Sequence, residues 1–318
     1  MKDKVLSFLK RAEGFISGEE ISREFSISRA AIWKHINQLK KEGYKILAVP
    51  HLGYKLESGP DRLTPQEVSY QLDTKVLGKK IYYYAQTSST MDEAMRLSLE
   101  GAPEGTLVVA EAQAKGRGRL GRSWYSPKAK GIYLSIILRP KILPNETPKL
   151  TLMAAVAVAS GINRITGLHV TIKWPNDLLI DDKKLGGILT ELNAESDSVK
   201  FVVIGIGINV NNTRSSLPAK ATSLKEETNE TVSRVELLKQ ILIEIERYYL
   251  IFQRDGFGPI IEKWRQLSSM LGSRIRVNYK KEHLEGIALD VDMDGSLLVR
   301  KDSGLIEKVM AGDIVKVR

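Results

Sequence analysis

The sequence predicts an α+β protein in three parts: a small helical module ending in a β-hairpin, a central mixed sheet with helices, and a short all-β module. Three observations lead to this prediction. Helix caps and apolar residues at helical spacing follow one another in residues 1–60. Strand-like and helical runs then alternate over residues 61–269. Residues 270–318 contain short alternating runs around turns, which are typical of β-strands.

The first module has the element order of a winged helix-turn-helix, and it opens with an amphipathic helix. Ser17 and Glu20 form a capping box that begins a second helix over residues 18–25. After a short turn, Ser28 caps a third helix that ends at Gly43. The predicted inward-facing residues of the first and third helices are Val5, Leu6, Phe8, Leu9, Ile32, Ile36 and Leu39.

The third helix presents small, polar and basic residues opposite its apolar side. Small and polar side chains near the start of such a helix suit the edges of DNA bases, and lysines suit phosphates. Residues 44–49 and 54–56 are predicted to form the wing, with His51 and Lys55 as candidates for contacts with the DNA backbone. Residues 1–57 contain eleven basic and seven acidic side chains. That balance equally fits a helical domain with a solvated face, but the element order favours DNA binding. The predicted DNA-binding residues are Ser28, Arg29, Ala30, Trp33, Lys34, Asn37 and Lys41.

The central module is predicted to begin after a linker over residues 57–61, because Gly-Pro continues neither a strand nor a helix. Thr64 and Pro65 then suit the cap and first turn of a helix. The helix over 147–165 is apolar nearly all round and is therefore predicted to be buried. The last module is predicted to be an SH3-like β-barrel around a turn at Asp294. Strands are expected near 81–86, 106–112, 131–139, 169–174, 184–194 and 200–210, and helices near 90–99, 147–165, 233–254 and 257–267.

Residues 116–122 read Gly-Arg-Gly-Arg-Leu-Gly-Arg, which predicts an anion-binding loop, because glycines allow a tight fold and arginines supply cationic forks. The pattern also fits the G-x-G-x-x-G dinucleotide fingerprint, which needs a helix starting inside the motif and an acidic residue about 20 positions later. Here a strand-like run follows, and the next acidic residue is Glu146. The arginines must therefore neutralise the anion themselves. An isolated run of this kind equally fits a solvated basic loop, so two further motifs matter.

The first of these motifs, Lys-Trp-Pro-Asn-Asp at residues 173–177, closes a strand-like run and leads through a hairpin to Lys-Lys-Leu-Gly-Gly at 183–187. The second, Ser-Ser-Thr-Met-Asp at 88–92, lies between a strand and a helix. Strand ends are where α/β folds collect ligand groups. Alone, the Ser-Thr pair fits a helix cap and the lysine pair a solvated hairpin. The order and spacing of the three motifs together indicate a binding site.

In these motifs the chain resembles the biotin protein ligases, specifically the bifunctional type that also represses the biotin operon. The resemblance spans essentially the whole chain and includes the Gly-x-Gly-x-Asn motif at 205–209. It implies a biotin/lipoate ligase-like central domain and a C-terminal SH3-like barrel. It also implies ATP-dependent formation of biotinyl-5'-AMP and transfer of biotin to a lysine of the biotin carboxyl carrier domain. A homodimer, formed on loading with the adenylate, would bind the operator DNA of biotin genes.

The resemblance also implies roles for individual residues. Arg117, Arg119 and Lys184 are expected to be catalytic, because positive charge at the reacting phosphate stabilises the transition state. Ser89, Thr90 and Gln113 match residues that bind the ureido ring of biotin, and Met91 stands where some members have Asn. The expected biotin-binding residues are Ser89, Thr90, Met91, Gln113, Arg117, Gly118, Arg119, Lys184 and Gly187. Those expected to bind ATP, with Mg²⁺ near Asn209, are Arg119, Arg122, Trp124, Asn176, Asp177, Lys184 and Asn209.

Composition narrows the range of functions. The 318 residues contain no cysteine, which excludes disulfides, thiolate metal sites and acyl transfer through a thiol. No apolar run reaches the roughly 20 residues of a membrane span, and the N-terminus does not read as a signal peptide, so a cytoplasmic protein is expected. A net charge of +10 permits DNA binding.

Two alternatives stay open, a biotin-sensing repressor without ligase activity and a lipoate ligase. An NAD(P)-dependent oxidoreductase is a more distant one.

Overall fold

The computed structural model describes residues 1–279 and 282–317. The chain divides into two compact units, one from Met1 to Gln71 and the other from Leu72 onward. No helix in the described ranges is long and apolar enough to cross a membrane.

The first unit has the predicted winged helix-turn-helix order. Ser17 and Glu20 form the predicted capping box, and the Ser28 hydroxyl accepts a hydrogen bond from the Ala31 N–H at 3.2 Å. The third helix ends at Lys41, two residues before the predicted Gly43, which adopts a left-handed φ of 101° in the following turn. The elements are α1 (Lys2–Arg11), α2 (Gly18–Phe25), α3 (Arg29–Lys41), β1 (Lys45–Val49) and β2 (Gly53–Ser58).

The first unit extends eleven residues beyond the predicted boundary at residue 60. A short helix, α4 (Pro65–Val68), follows the linker and carries Glu67, whose side chain is buried. The Tyr44 hydroxyl donates to Glu67 at 2.5 Å, and Lys10 forms an ion pair with Glu67 at 2.8 Å. The Tyr70 hydroxyl donates to the Lys10 carbonyl. These contacts, between residues far apart in the sequence, fold the segment together with the winged helix.

A seven-stranded mixed sheet forms the centre of the second unit, as predicted. Its strand order is β3-β4-β5-β9-β8-β7-β6, with β3 and β4 parallel and every other neighbouring pair antiparallel. The hairpin after residue 177 is confirmed and adds a strand, β7, that the sequence patterns did not delimit. The strands are β3 (Ile81–Tyr84), β4 (Leu107–Ala110), β5 (Gly131–Leu138), β6 (Thr171–Lys173), β7 (Asp177–Ile180), β8 (Lys183–Ala194) and β9 (Val199–Asn209).

Helices cover this sheet. In the predicted buried helix, residues 152–159 are all buried, and the helix packs against the long helix that follows residue 233. The short helix over Leu224–Thr228 was not predicted, because its five residues are too few to show periodicity. The helices are α5 (Thr90–Leu99), α6 (Thr147–Thr166), α7 (Leu224–Thr228), α8 (Arg234–Asp255) and α9 (Gly258–Leu267).

The last five strands form an antiparallel sheet of their own, in the order β13-β12-β11-β10-β14, which confirms the predicted all-β module. The predicted turn at Asp294 connects two of these strands, and Gly295 adopts a left-handed φ of 89° there. The Trp174 indole N–H donates to the Gly295 carbonyl at 3.0 Å, which ties this module to the central sheet. The strands are β10 (Arg274–Tyr279), β11 (Glu282–Val291), β12 (Leu297–Arg300), β13 (Ile306–Val309) and β14 (Asp313–Lys316).

Candidate active site

A cleft of about 920 Å³ lies in the second unit, and it collects the residues of all three motifs. Its lining carries eight basic and four acidic side chains, so it attracts anions. Thirteen of the fourteen predicted ligand-binding residues line it: Thr90, Met91, Gln113, Arg117, Gly118, Arg119, Arg122, Trp124, Asn176, Asp177, Lys184, Gly187 and Asn209. The fourteenth, Ser89, is fully buried beside Thr90 and does not line the cleft, and its hydroxyl has no hydrogen-bond partner in the structure.

Glycines on β9 form the floor of the cleft. Residues two apart in a strand share one face, so Phe201, Val203, Gly205 and Gly207 lie in one row. The first two pack against α5, whereas the two glycines line the cleft. A Cβ atom on Gly205 would lie 2.5 Å from the Met91 sulfur, and one on Gly207 would lie 2.6 Å from the Trp124 indole nitrogen. Met91 and Trp124 therefore lie directly on the two glycines.

At one end of the cleft, a chain of hydrogen bonds fixes Gln113 and Thr90. The Gln113 side-chain oxygen accepts from the Thr90 N–H at 2.8 Å and from its hydroxyl at 3.1 Å. The Gln113 amide nitrogen donates to the Ser126 hydroxyl at 2.9 Å, and the Ser135 hydroxyl donates to Thr90 at 2.9 Å. These hydrogen bonds fix the positions of both side chains at this end of the cleft.

The loop over residues 116–122 folds back on itself. The Trp124 N–H donates to the Gly116 carbonyl at 2.8 Å, and the Gly118 N–H donates to the Arg122 carbonyl at 2.7 Å. Leu120 and Gly121 both adopt left-handed φ angles, 55° and 72°. The loop is therefore a tight turn whose arginines project in different directions.

The three arginines of this loop have different partners. Arg119 donates to the Asn176 side-chain oxygen at 3.0 Å, a neutral acceptor, so no carboxylate in the described structure pairs with its charge. Burial lowers the pKa of Arg119 despite the charges of Asp313 and Asp177. Arg117 is instead bound by acidic side chains. Burial alone would lower its pKa, but the hydrogen bond that it donates to Asp92 and the charge of Glu191 raise it.

Lys184 lies between a carboxylate and an aromatic ring. Its ammonium nitrogen is 2.6 Å from Asp177 and 5.6 Å from the centre of the Trp124 ring. Asp177 is therefore placed to orient the Lys184 ammonium group. Asn176, on the same turn, donates to the Ile188 carbonyl at 2.8 Å and is buried. The pair of motifs at 173–177 and 183–187 forms one compact cationic corner.

Three groups of lining residues were not predicted. Lys173 faces the cleft, and its burial lowers its pKa against the charge of Asp177. The loop over 217–221 lines another side, and Asn209 positions it by donating to the Thr222 carbonyl at 3.0 Å. The strand β14 contributes the third group. Lys173 belongs to the 173–177 motif but had no assigned role. No local sequence signal marked the other two groups, because packing between distant segments brings them to the cleft.

The C-terminal module contributes two ion pairs at the cleft. Asp313 on β14 accepts a hydrogen bond from Arg122 of the loop. Lys316, on the same strand, pairs with Asp182 of the β7–β8 hairpin at 2.7 Å. The cleft is thus formed jointly by the central sheet and the C-terminal module.

The residues predicted to bind DNA lie mostly on the exposed side of α3 and at its start. Ser28, Arg29, Ala30, Lys34 and Lys41 are exposed, and Asn37 is half-buried. Trp33 is 63% exposed, which is a large apolar area for a helix surface. The predicted inward-facing residues Ile32, Ile36 and Leu39 are all buried.

Sequence and structure comparisons agree on the type of protein. The family model for the biotin/lipoate A/B protein ligase family matches residues 83–209. The model for an HTH domain matches residues 2–55, and the model for the biotin protein ligase C terminal domain matches residues 270–317. The bifunctional ligase/repressor BirA of Bacillus subtilis is 42% identical over 98% of this chain and 97% of its own length. The protein of the same name from Escherichia coli is 30% identical over 98% and 95%.

A solved structure shares the fold of the second unit. The biotin protein ligase from Aquifex aeolicus, in complex with biotin and ATP, covers 75% of this chain and 100% of its own with a TM-score of 0.65 and 28% identity. The helix-turn-helix unit and the cationic cleft define the class, a ligase joined to a DNA-binding module. The chain belongs to the bifunctional biotin protein ligase and repressor family. A biotin ligase function and a repressor function follow from that membership.

Proposed function

We propose that this protein activates biotin with ATP to form biotinyl-5'-AMP, transfers biotin to a lysine of a biotin carboxyl carrier domain, and represses biotin genes when loaded. The observation that carries the proposal is the single cleft that holds a hydrogen-bonding end, an aromatic platform and a cationic corner. Thr90 and Gln113 form the hydrogen-bonding end, and Trp124 forms the aromatic platform. Lys184 belongs to the cationic corner, which Arg119 contacts through Asn176. The setting is the cytoplasm, where ATP and chromosomal DNA are available.

In the first step, a carboxylate oxygen of biotin attacks the α-phosphorus of ATP, the bond to the bridging oxygen breaks, and pyrophosphate leaves with its electron pair. No protein nucleophile is required, so catalysis rests on holding two anions together and stabilising the developing charge. Arg119 suits this task because its charge has no carboxylate partner in the described structure. Lys184, which Asp177 holds in place, is assigned to bind the biotin carboxylate and the α-phosphate. Arg117 is assigned to keep the loop over residues 116–122 closed beside them.

The two ends of the cleft orient the two substrates. The rigid Thr90 and Gln113 groups suit the ureido ring of biotin, with Ser89 behind them and Met91 beside them. Gly187 and Gly118 leave space for the ligand chain. Trp124 is assigned to the adenine, and Arg122, Asn176, Asp177 and Asn209 to positioning the nucleotide.

In the second step, the neutral amine of the acceptor lysine attacks the acyl carbon, AMP leaves, and an amide bond forms. A closed loop keeps water from hydrolysing the adenylate before the acceptor arrives. Within residues 1–279 and 282–317, no cluster of three or more His, Asp or Glu side chains is placed to hold a metal ion. A Mg²⁺ that accompanies ATP would take most of its ligands from the phosphates and one or two from protein oxygens. Such an ion would neutralise phosphate charge.

The repressor half rests on the winged helix-turn-helix. Loaded protein that finds no acceptor would persist, dimerise and bind the operator, so adenylate occupancy would be coupled to DNA affinity. We assign the DNA contacts to Ser28, Arg29, Ala30, Trp33, Lys34, Asn37 and Lys41. Removal of residues 1–60 should abolish DNA binding and retain ligase activity if catalysis resides in 61–269 with 270–318; DNA binding by the shortened chain would contradict this division.

The deciding experiment incubates the protein with biotin, Mg²⁺-ATP and a biotin carboxyl carrier domain, and weighs the carrier by mass spectrometry. A carrier heavier by one biotinyl group supports the proposal. An unmodified carrier with tightly bound biotin would favour a sensor that represses without ligation. Modification with lipoate in preference to biotin would favour a lipoate ligase.

A further inference from the structure

Two carboxylates hold the guanidinium of Arg117. One terminal nitrogen of Arg117 donates to Asp92 at 2.5 Å, and the other donates to Glu191. A guanidinium presents planar, rigidly forked donors, so two separate carboxylates fix its direction as well as its position. Arg117 therefore connects the loop over 116–122 to two other parts of the second unit.

These two carboxylates belong to different elements, and each element also contributes residues to the lining of the cleft. Asp92 is in the first turn of α5, directly after Thr90 and Met91, which line the cleft. Glu191 lies on β8 in the row that contains Gly187 and Leu189, which also line it, and residues two apart in a strand share a face. The side chains of Asp92 and Glu191 themselves lie outside the lining.

The other two loop arginines lack this arrangement. Arg119 has a neutral partner in Asn176, and Arg122 is bound by Asp313 of the C-terminal module. An arginine whose charge is already neutralised by two carboxylates attracts a phosphate less strongly. Within one loop, the structure therefore separates an arginine suited to the reacting anions from one suited to fixing the loop.

From this geometry we infer that Asp92 and Glu191 are positioning residues that keep the loop closed over the biotin end of the cleft by holding Arg117. The inference rests on the proposed function and assigns Arg117 chiefly to retention of the adenylate rather than to its formation. Opening of the loop would require both ion pairs to break. Asp92, Glu191 and Arg117 together form a clamp, and this clamp lengthens the lifetime of the bound intermediate.

The test uses Asp92→Asn, Glu191→Gln and the double variant in the full-length protein. Pyrophosphate exchange reports adenylate formation, and a chase with excess unlabelled biotin and ATP reports how long preformed labelled biotinyl-5'-AMP stays bound. The side chains of Asp92 and Glu191 are 50% and 26% exposed, and exposed ion pairs contribute little, so each single variant should shorten that lifetime about two- to fivefold. The double variant should shorten it about tenfold, with the maximal exchange rate within about twofold of the unmodified protein.

Three controls separate a clamp from a general structural effect. Glu93→Gln removes the neighbouring acid of α5, which pairs with Arg96, and should leave the lifetime unchanged. Glu191→Asp should restore part of what Glu191→Gln loses. Arg117→Ala should shorten the lifetime, and adding the two carboxylate changes to it should have no further effect, because the clamp is already absent.

Unchanged lifetimes in the double variant would overturn the inference, and so would full additivity with Arg117→Ala. A parallel loss of exchange and lifetime would also overturn it, because the carboxylates would then act on the chemistry. Failure of the proposed function looks different: the unmodified protein would show no biotin-dependent pyrophosphate exchange, and both conclusions would fall together.

Discussion

The exposed side of α3 and the cleft both carry excess positive charge, but the cationic side chains have different partners in the two places. Lys34 and Lys41 have no carboxylate within ion-pair distance among the residues that the structure describes, and both are exposed. In the cleft, Arg122 and Lys184 are each held by an acidic partner. A surface of free cations suits a polyanion that is bound through counterion release. A cleft of held cations suits one ligand in one orientation, because its groups are ordered before the ligand arrives.

The largest expected effect tests the cleft. Arg119→Ala should lower biotin-dependent pyrophosphate exchange by about two to three orders of magnitude, the usual effect of losing a donor aimed at developing charge. Arg96→Ala, on the outer side of α5, is the matched control and should leave the rate unchanged. Equal rates for the two variants would show that the charge of Arg119 is not used in the chemistry.

A second change tests whether Trp124 is the adenine platform. In Gly207→Ala the new Cβ atom meets the Trp124 ring, and overpacking costs about 1–3 kcal/mol, so KM for ATP should rise about tenfold or more. KM for biotin should change little, because the atoms nearest the new Cβ belong to Trp124 and not to Thr90 or Gln113. Gly258→Ala, where a Cβ meets open space, is the control. A rise in KM for biotin alone would reverse the assigned orientation.

The free cations of α3 should show a smaller and salt-dependent effect. Lys34→Ala should weaken binding to a random-sequence duplex and reduce the slope of log affinity against log salt by about one. Fluorescence anisotropy at several salt concentrations measures this, with Lys263→Ala on α9 as the control. An unchanged slope would remove Lys34 from the phosphate contacts.

The smallest expected effect concerns the start of α3. Ser28→Ala removes the N-cap hydrogen bond to Ala31 and should destabilise the helix by about 1 kcal/mol. Hydrogen exchange of the α3 amides should become faster, whereas Ser7→Ala on the exposed side of α1 should have no such effect. Equal protection in both variants would mean that the cap does not contribute to the stability of α3.

The same contrast explains what the sequence could predict. The helices of the first unit are encoded by neighbouring residues: Ser17 and Glu20 cap α2, and Ile32, Ile36 and Leu39 give α3 its buried side. The compact unit continues past residue 60, because the burial of Glu67 depends on Tyr44 and Lys10. No sequence pattern near residue 67 indicates that Tyr44 and Lys10 contact Glu67.

For the cleft, motifs identified the residues but not their pairing. Thirteen of fourteen predicted residues line one cavity, although residues 90 and 209 are far apart in the chain. The partners that define their chemistry, Asp92, Glu191 and Asp313, were not predicted. Each lies on a different element and becomes significant only when the sheet and the C-terminal module have assembled.

Because β14 lies beside the cleft, the helix-turn-helix is completed before the cleft during synthesis. The ribosome releases the helix-turn-helix first, and N-terminal domains generally fold as they emerge. Asp313 and Lys316 are synthesised after the rest of the cleft, so a growing chain completes its helix-turn-helix long before one wall of its cleft exists. A stop codon shortly before position 313 would therefore separate the two activities, leaving a chain with an intact α3 and a ligase cleft open on one side.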